Sequence, residues 1–206
     1  MRGLRFPDDW AAEIPARFEG LVFDCDGTLV DTMPAHFRAW SDAFAPHAIE
    51  FPVERFYGLA GVSSIAIIEL LANEQGKVVD AGAIARDKDA RYLALESHGA
   101  PIAPVAGIAK REQGRRRLGV ASGNVTGLVR ATLRDAGIEA LFQAVVGSDR
   151  VERGKPAPDV FLLAASELGV APDRCVAYED GDLGLIAARD AGMTAIDVRP
   201  WLRKNP

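Results

Sequence analysis

The sequence predicts an α/β protein, a parallel β-sheet with helices on both faces, carrying an inserted α-helical block near its start. Three observations lead there. From about residue 101 onward, short apolar runs alternate with helix-length amphipathic segments, the pattern of strands buried on both faces beneath crossover helices. One apolar run, Leu21 to Phe23, stands alone well ahead of that alternation. Between the two lies a stretch of about sixty residues with helical periodicity and no long strand-like run, too small to hold a core without a neighbour.

The whole chain bounds what such a fold does. At 206 residues it suffices for one core plus a small inserted domain. With 49% hydrophobic and 26% charged residues it has an ordinary globular composition. A net charge of −5 argues against nucleic acid as a partner. The one basic run, Lys110-Arg111 with Arg115-Arg116-Arg117, reads as a solvated helix end. No stretch approaches the roughly eighteen apolar residues of a membrane span, and no apolar signal-peptide core opens the chain, so a cytoplasmic location is expected. Cys25 and Cys175 read as reduced, buried thiols.

Along the chain, residues 1–19, with two prolines and mixed charge, form an irregular lead-in, and Leu21 to Phe23 is a buried strand that Gly27 ends with a sharp turn. Pro34 in a first turn, with apolar residues at 37, 40 and 44, predicts a helix. Pro52, Gly58 and Gly61 punctuate the next segment, and Ile65 to Leu71 and Ile84 to Leu95 read as amphipathic helices. A helix from Val105 to Gln113 precedes a strand at Leu118 to Ala121. Thereafter helices at Val125 to Ala136, Pro158 to Leu168 and Leu183 to Ala191 alternate with strands at Ala144 to Val146, Cys175 to Tyr178 and Ala195 to Val198. Right-handed crossovers are expected between them.

Ligands bind such sheets beyond the carboxyl ends of the strands. The residues just past each apolar run are therefore informative: Asp24 and Asp26, then Ser122-Gly123-Asn124, then Gly147-Ser148-Asp149 with Lys155 close behind, then Glu179-Asp180. Two carboxylates at a buried strand tip repel one another unless a cation joins them. A calcium loop counted from Asp24 fails, because Leu29 stands where glycine belongs and Ala35 where the bidentate Glu belongs. Ser122, Gly123 and Asn124 ahead of a helix would bind an anion, most simply phosphate, although a plain N-cap has the same look. Gly154-Lys155-Pro156 is no P-loop, since Asp149 replaces its first glycine and Pro156 its hydroxyl residue, which leaves Lys155 as a point charge for phosphoryl oxygens. Around Gly181, Glu179, Asp180 and Asp182 offer hard oxygen ligands suited to Mg²⁺, with Asp180 assigned to metal and Asp182 to capping the next helix.

Together these segments carry a resemblance. Asp24-Cys25-Asp26-Gly27-Thr28 with Asp31-Thr32, Val120-Ala121-Ser122, Gly154-Lys155-Pro156-Ala157-Pro158-Asp159, and Tyr178-Glu179-Asp180-Gly181-Asp182-Leu183-Gly184 ahead of Ala187-Ala188 and Ala191-Gly192-Met193 resemble, in order, the four motifs of the haloacid dehalogenase superfamily. The helical block resembles the cap of its β-phosphoglucomutase-like branch, above all the sugar-phosphate phosphatases, including fructose-1-phosphate phosphatase-like members. The resemblance implies a Rossmann-like core over residues 1–33 and 101–206 and a helical cap over 34–100, with Thr32 at the hinge. It implies that Asp24 attacks phosphorus to form an aspartyl-phosphate and that Asp26 protonates the leaving oxygen and then activates water. Ser122 and Lys155 would hold the phosphoryl oxygens, and Asp24, the carbonyl of Asp26 and Asp180 would bind Mg²⁺, with Glu179 an additional or outer ligand. Two residues depart from the family pattern: Gly181 stands where Ser commonly follows the acid pair, and Asn124 where a hydroxyl residue is common.

The cap would choose the substrate. His36 resembles a hinge residue of the mutases, Gly61-Val62-Ser63 resembles a substrate loop, Ser64 replaces the mutase arginine that grips a second phosphate, and Lys88 matches a cap lysine that binds a sugar or its distal phosphate. The expected activity is that of a Mg²⁺-dependent phosphatase acting on a small sugar or polyol phosphate. A β-phosphoglucomutase-type mutase is the alternative, disfavoured by Ser64. A non-catalytic sugar-phosphate-binding protein on the same fold is a second, disfavoured by the intact acids and Lys155. Dehalogenation is a remote third. The expected partner is a small phosphorylated substrate, without nucleic acid or membrane; a monomer is expected, with an oligomer left open.

Overall fold

In the computed structural model, residues 14–59 and 62–202 are described, so most of the expected lead-in, and Gly61, lie outside the described residues. Strands β1 (Gly20–Phe23), β2 (Arg117–Ala121), β3 (Ala144–Val146), β4 (Cys175–Glu179) and β5 (Thr194–Asp197) form one parallel sheet in the order β3-β2-β1-β4-β5. Phe23 is in register with Val120 on one side and Tyr178 on the other. Residues that come after these three strands therefore emerge at one level.

Alternate side chains of each strand enter two separate cores. Leu21, Phe23, Val120 and Tyr178 pack with α5 (Ala103–Glu112) and α6 (Thr126–Asp135). Val22, Ala121 and Ala177 pack with α7 (Asp159–Leu168) and α8 (Asp182–Asp190) on the opposite face. With both faces covered, the strands need apolar residues at every position, which is why they read as unbroken apolar runs rather than alternating ones. A short α9 (Arg199–Leu202) closes the chain's described part, and Cys25 and Cys175 are buried and free. Among the described residues no helix is long and apolar enough to cross a membrane.

Between β1 and β2 the chain builds α1 (Met33–Phe44), α2 (Val53–Gly58), α3 (Ser64–Glu74) and α4 (Ala81–Leu93). These helices have a core of their own, in which Phe51 meets Trp40, Phe44 and Phe56 edge to face at 5.7 to 5.8 Å in one cluster with Ile68 and Ile84. The sequence does not announce α2: its six residues are too few for a period to show, and Pro52 and Gly58 at its ends read as loop residues.

The chain leaves and re-enters the sheet layer through two segments held side by side. Val30 bridges Pro101 in antiparallel fashion, Asp31 N–H donates to Ala100 O at 2.9 Å, and Ile102 N–H to Leu29 O at 2.9 Å. Gly99, at φ +139°, lies so close to the Asp31 carbonyl that a Cβ would strike it.

One basic residue departs from the expected solvated helix end. Lys110, Arg115 and Arg117 are exposed, but Arg116 is drawn inward. It donates to Phe18 O at 2.9 Å and Ile14 O at 2.7 Å and pairs with Glu112, so it ties the segment before β1 to the end of α5.

Candidate active site

Three strand tips assemble the site. Beyond β1, Asp24 N–H still bonds Tyr178 O at 2.9 Å, which fixes the Asp24 side chain beside the end of β4. Gly27, at φ +82°, then folds the chain against Asp180, and a Cβ there would come within 2.5 Å of Asp180 Oδ2. Thr28 completes the contact by donating to Asp180 Oδ1 at 2.7 Å.

Asp24, Glu179 and Asp180 place carboxylate oxygens within 4.8 Å of one another. Lys155 reaches into this group from the loop before α7, donating to Asp24 Oδ1 at 2.7 Å, Glu179 Oε1 at 2.6 Å and Ala121 O at 3.0 Å. Burial pushes the Asp24 carboxyl well above the ordinary carboxylate range, against the pull of Lys155. Burial and the neighbouring Glu179 push Asp180 up to about 6. For Lys155 the two carboxylates outweigh burial and hold the ammonium charged. One ammonium thus faces three carboxylates, and a hard divalent cation is what this all-oxygen donor set fits. Glu179 has little reach left for it, since Lys155 takes one oxygen and Gly181 N–H donates to the other at 2.8 Å.

Gly184 of α8 leaves the room Glu179 occupies, for a Cβ there would overlap the Glu179 carboxylate. Gly184→Ala should displace Glu179 from Lys155 and lower stability by about 1–3 kcal/mol, as overpacking does. Urea unfolding measures it, and an unchanged midpoint would show that Glu179 has slack.

Asp26 faces away from the acid cluster and is 16% exposed at its side chain. It accepts from Thr32 Oγ1 at 2.7 Å, Asn124 Nδ2 at 2.8 Å and Ser122 Oγ at 3.3 Å, and His36 Nε2 lies 3.0 Å away. Burial raises its pKa, but attraction to His36 and the bonds from His36, Thr32 and Asn124 outweigh that and hold the carboxyl well below its ordinary range. Burial also lowers the pKa of His36 itself. A neutral imidazole gives little Coulomb attraction, so the donors from Thr32 and Asn124 are the firmer support for an ionised Asp26.

A cavity of about 80 Å³ lies between the strand tips and the helical insertion. Asp24, Asp26, Ser122, Gly123, Asn124, Glu179 and Asp180 line one end. The other is mostly apolar, with Trp40, Phe56 and Ile67 beside His36, Ser64 and Lys88. Lys88 is buried, 3.2 Å from Asp89 Oδ1 and over the rings of Trp40 and Tyr92 at 5.4 and 5.6 Å.

Three expected positions differ. Ser63 does not line the cavity: it caps α3, its hydroxyl accepting from Ala66 N–H at 3.4 Å. Asp149 leaves the rim because its Oδ1 accepts from Thr126 N–H at 2.6 Å and Thr126 Oγ1 at 2.8 Å, capping α6. Asp182 makes no cap: it is the first residue of α8 and pairs with Arg199 at 2.8 Å, leaving Gly181 as N-cap without a side-chain bond. Thr28 and Thr32 are site residues whose side chains sequence reasoning missed. Their hydroxyls two and six residues beyond Asp26 were the available signal.

A family model described as haloacid dehalogenase-like hydrolase matches residues 18–192. The chain is 36% identical over 183 residues to the fructose-1-phosphate phosphatase YqaB of Escherichia coli strain K12, covering 89% of this chain and 97% of that one. It is 31% identical over 191 residues to the β-phosphoglucomutase of Bacillus subtilis strain 168, covering 87% and 83%. Its fold superposes with a TM-score of 0.79 on CbbY from Rhodobacter sphaeroides in complex with xylulose-(1,5)bisphosphate, at 30% identity and covering 87% and 85%.

Proposed function

The chain belongs to the haloacid dehalogenase-like hydrolases, and from that premise we propose that it is a Mg²⁺-dependent phosphatase that hydrolyses a small sugar or polyol monophosphate through an aspartyl-phosphate on Asp24. The observation that carries this reading is the separation of two neighbouring carboxylates into different environments. Asp24 lies against Lys155 in the acid cluster, and Asp26 is held by Thr32, His36, Ser122 and Asn124 at the cavity wall. Paired carboxylates with distinct surroundings divide nucleophilic from acid–base work.

Asp24 Oδ attacks phosphorus as the bond to the leaving oxygen breaks, and Asp26 gives that oxygen a proton. In the second half, Asp26 takes a proton from the water that attacks phosphorus, and the bond to Asp24 breaks to release inorganic phosphate. The ionised state of Asp26 suits the second half. For the first, Ser122 and Asn124 turning to the phosphoryl oxygens would remove two of the bonds that keep Asp26 charged. Lys155 neutralises phosphoryl charge, and Glu179 orients Lys155. Asp24, Asp180 and the carbonyl of Asp26 would hold Mg²⁺, which would supply neutralisation of the phosphoryl charge.

Helices α1–α4 act as a cap that covers the cavity. Its far wall is mostly apolar, with Lys88 the one lysine or arginine among the described residues that line it, which suits a neutral sugar or polyol end. A mutase must hold a second phosphate there, and the wall supplies little for it. The fructose-1-phosphate phosphatase name of one relative agrees. The buried free cysteines suit the reducing cytoplasm.

Phosphate release by the purified protein, screened across hexose, pentose and polyol phosphates, tests the reading. Monophosphates should be hydrolysed at least about tenfold better than bisphosphates of the same sugars, and EDTA should abolish release until Mg²⁺ is returned. No release from any substrate would refute a phosphatase, and conversion of glucose 1-phosphate to glucose 6-phosphate outpacing release would favour the mutase.

A further inference from the structure

We infer that Tyr92, a residue of α4 that does not line the cavity, is a positioning residue that sets the plane of His36 against Asp26 by bracing it on the core helix α6. The inference rests on the assignment of Asp26 to acid–base work.

Tyr92 lies one helical turn beyond Lys88, on the same side of α4. Its ring is fully buried and stacks on the His36 imidazole, centroids 4.1 Å apart and planes 7° from parallel. The imidazole has one soft torsion that decides where Nε2 points. A flat partner at van der Waals distance fixes that torsion, and in the orientation it fixes, Nε2 is 3.0 Å from Asp26 Oδ1.

The Tyr92 hydroxyl says what the ring is braced against. It meets Thr132 Oγ1 of α6 at 2.8 Å, both residues buried. An apolar residue of similar shape would fill the space without a buried hydroxyl to satisfy. The Tyr92 carbonyl is held in turn by His98 Nε2 at 3.2 Å, and the His98 backbone N–H donates to Asp135 Oδ2 of α6 at 3.0 Å. Around these bonds Ala39 and Leu128 close an apolar cluster with Tyr92 that spans cap and core. The placement of α4 on α6 is thereby transmitted, through one aromatic ring, to the residue touching Asp26.

The test separates the stack from the brace. Tyr92→Phe keeps the ring and loses the bond to Thr132; Thr132→Val loses it from the other side; Tyr92→Leu loses both ring and bond. On a substrate the wild type hydrolyses, Tyr92→Leu should lower kcat about thirtyfold with KM within about twofold, the scale of a misplaced group. Tyr92→Phe and Thr132→Val should each cost about fivefold, the scale of one buried hydrogen bond, and no more when combined. In a His36→Ala background, Tyr92→Leu should cost nothing further. Additive effects of Tyr92 and His36 would overturn the inference, as would normal kcat in a Tyr92→Leu protein of reduced stability. A readout independent of turnover is the NMR signal of the His36 ring protons, which the stacked Tyr92 ring shields. That shielding should persist in Tyr92→Phe and vanish in Tyr92→Leu, and its persistence in Tyr92→Leu would refute the stack whether or not any substrate is hydrolysed.

Discussion

Asp24→Asn is expected to lower phosphate release by about 10⁴-fold or more, the scale on which loss of a covalent nucleophile is felt, while leaving the protein as stable as before or more so. The two halves of that result have one cause. The amide matches the carboxylate in shape and still offers an oxygen to Lys155, so the fold loses no packing and keeps the bond now 2.7 Å long. It also removes a buried charge that burial and the neighbouring acids already disfavour, so the repulsion among Asp24, Glu179 and Asp180 falls. What an amide cannot do is attack phosphorus. Phosphate release and urea unfolding, measured on the same preparation, check both halves. Turnover near the wild-type rate would remove Asp24 from the role of nucleophile.

Lys155→Met should cost both activity and stability. The ammonium bonds Asp24, Glu179 and the Ala121 carbonyl at once, almost wholly out of solvent. Methionine fills similar volume but leaves two buried carboxylates without their cation, a change that typically costs about 3–5 kcal/mol. If the ammonium also serves the phosphoryl oxygens as proposed, its loss should add about a 10³-fold fall in kcat. Because a dication can take over part of the neutralisation, Mg²⁺ should stabilise the variant more than it stabilises the wild type. Thermal unfolding with and without Mg²⁺ measures that difference. A variant as stable as the wild type in EDTA would mean that the acid cluster is solvated or protonated rather than dependent on Lys155.

Much of this site was legible in the sequence because a parallel sheet puts the residue after every strand on one rim. Asp24, Ser122 and Glu179 mark the ends of β1, β2 and β4, and the register of Phe23 with Val120 and Tyr178 makes that rim level. The strands were legible for the related reason that both faces are buried. Direction was not legible. Asp149 and Asp182 sit among the same rim residues, yet one turns back to α6 and the other out to Arg199. A carboxylate near a helix start has the same local sequence whether it caps, pairs or faces the cavity. The aromatic brace was beyond reach for a different reason: Tyr92 and Thr132 are forty residues apart and lie on different sides of the cap–core boundary, and no local pattern records such a meeting. Arg116 likewise read as a solvated cation because its acceptors at Ile14 and Phe18 are distant in sequence.

The paired segments at Asp31 and Ala100 have a consequence for how such a chain can change over time. Because the excursion departs and returns at adjacent, hydrogen-bonded points, the sheet layer meets everything between them as a single long loop. The entropy of closing a loop grows only with the logarithm of its length. Helices can therefore be lengthened, shortened or exchanged within that excursion at little cost to the sheet, provided Gly99 still passes against Asp31. Selection for a new substrate can act there as on an interchangeable cassette, provided Thr32, His36 and Tyr92, through which the excursion supports Asp26, keep their places.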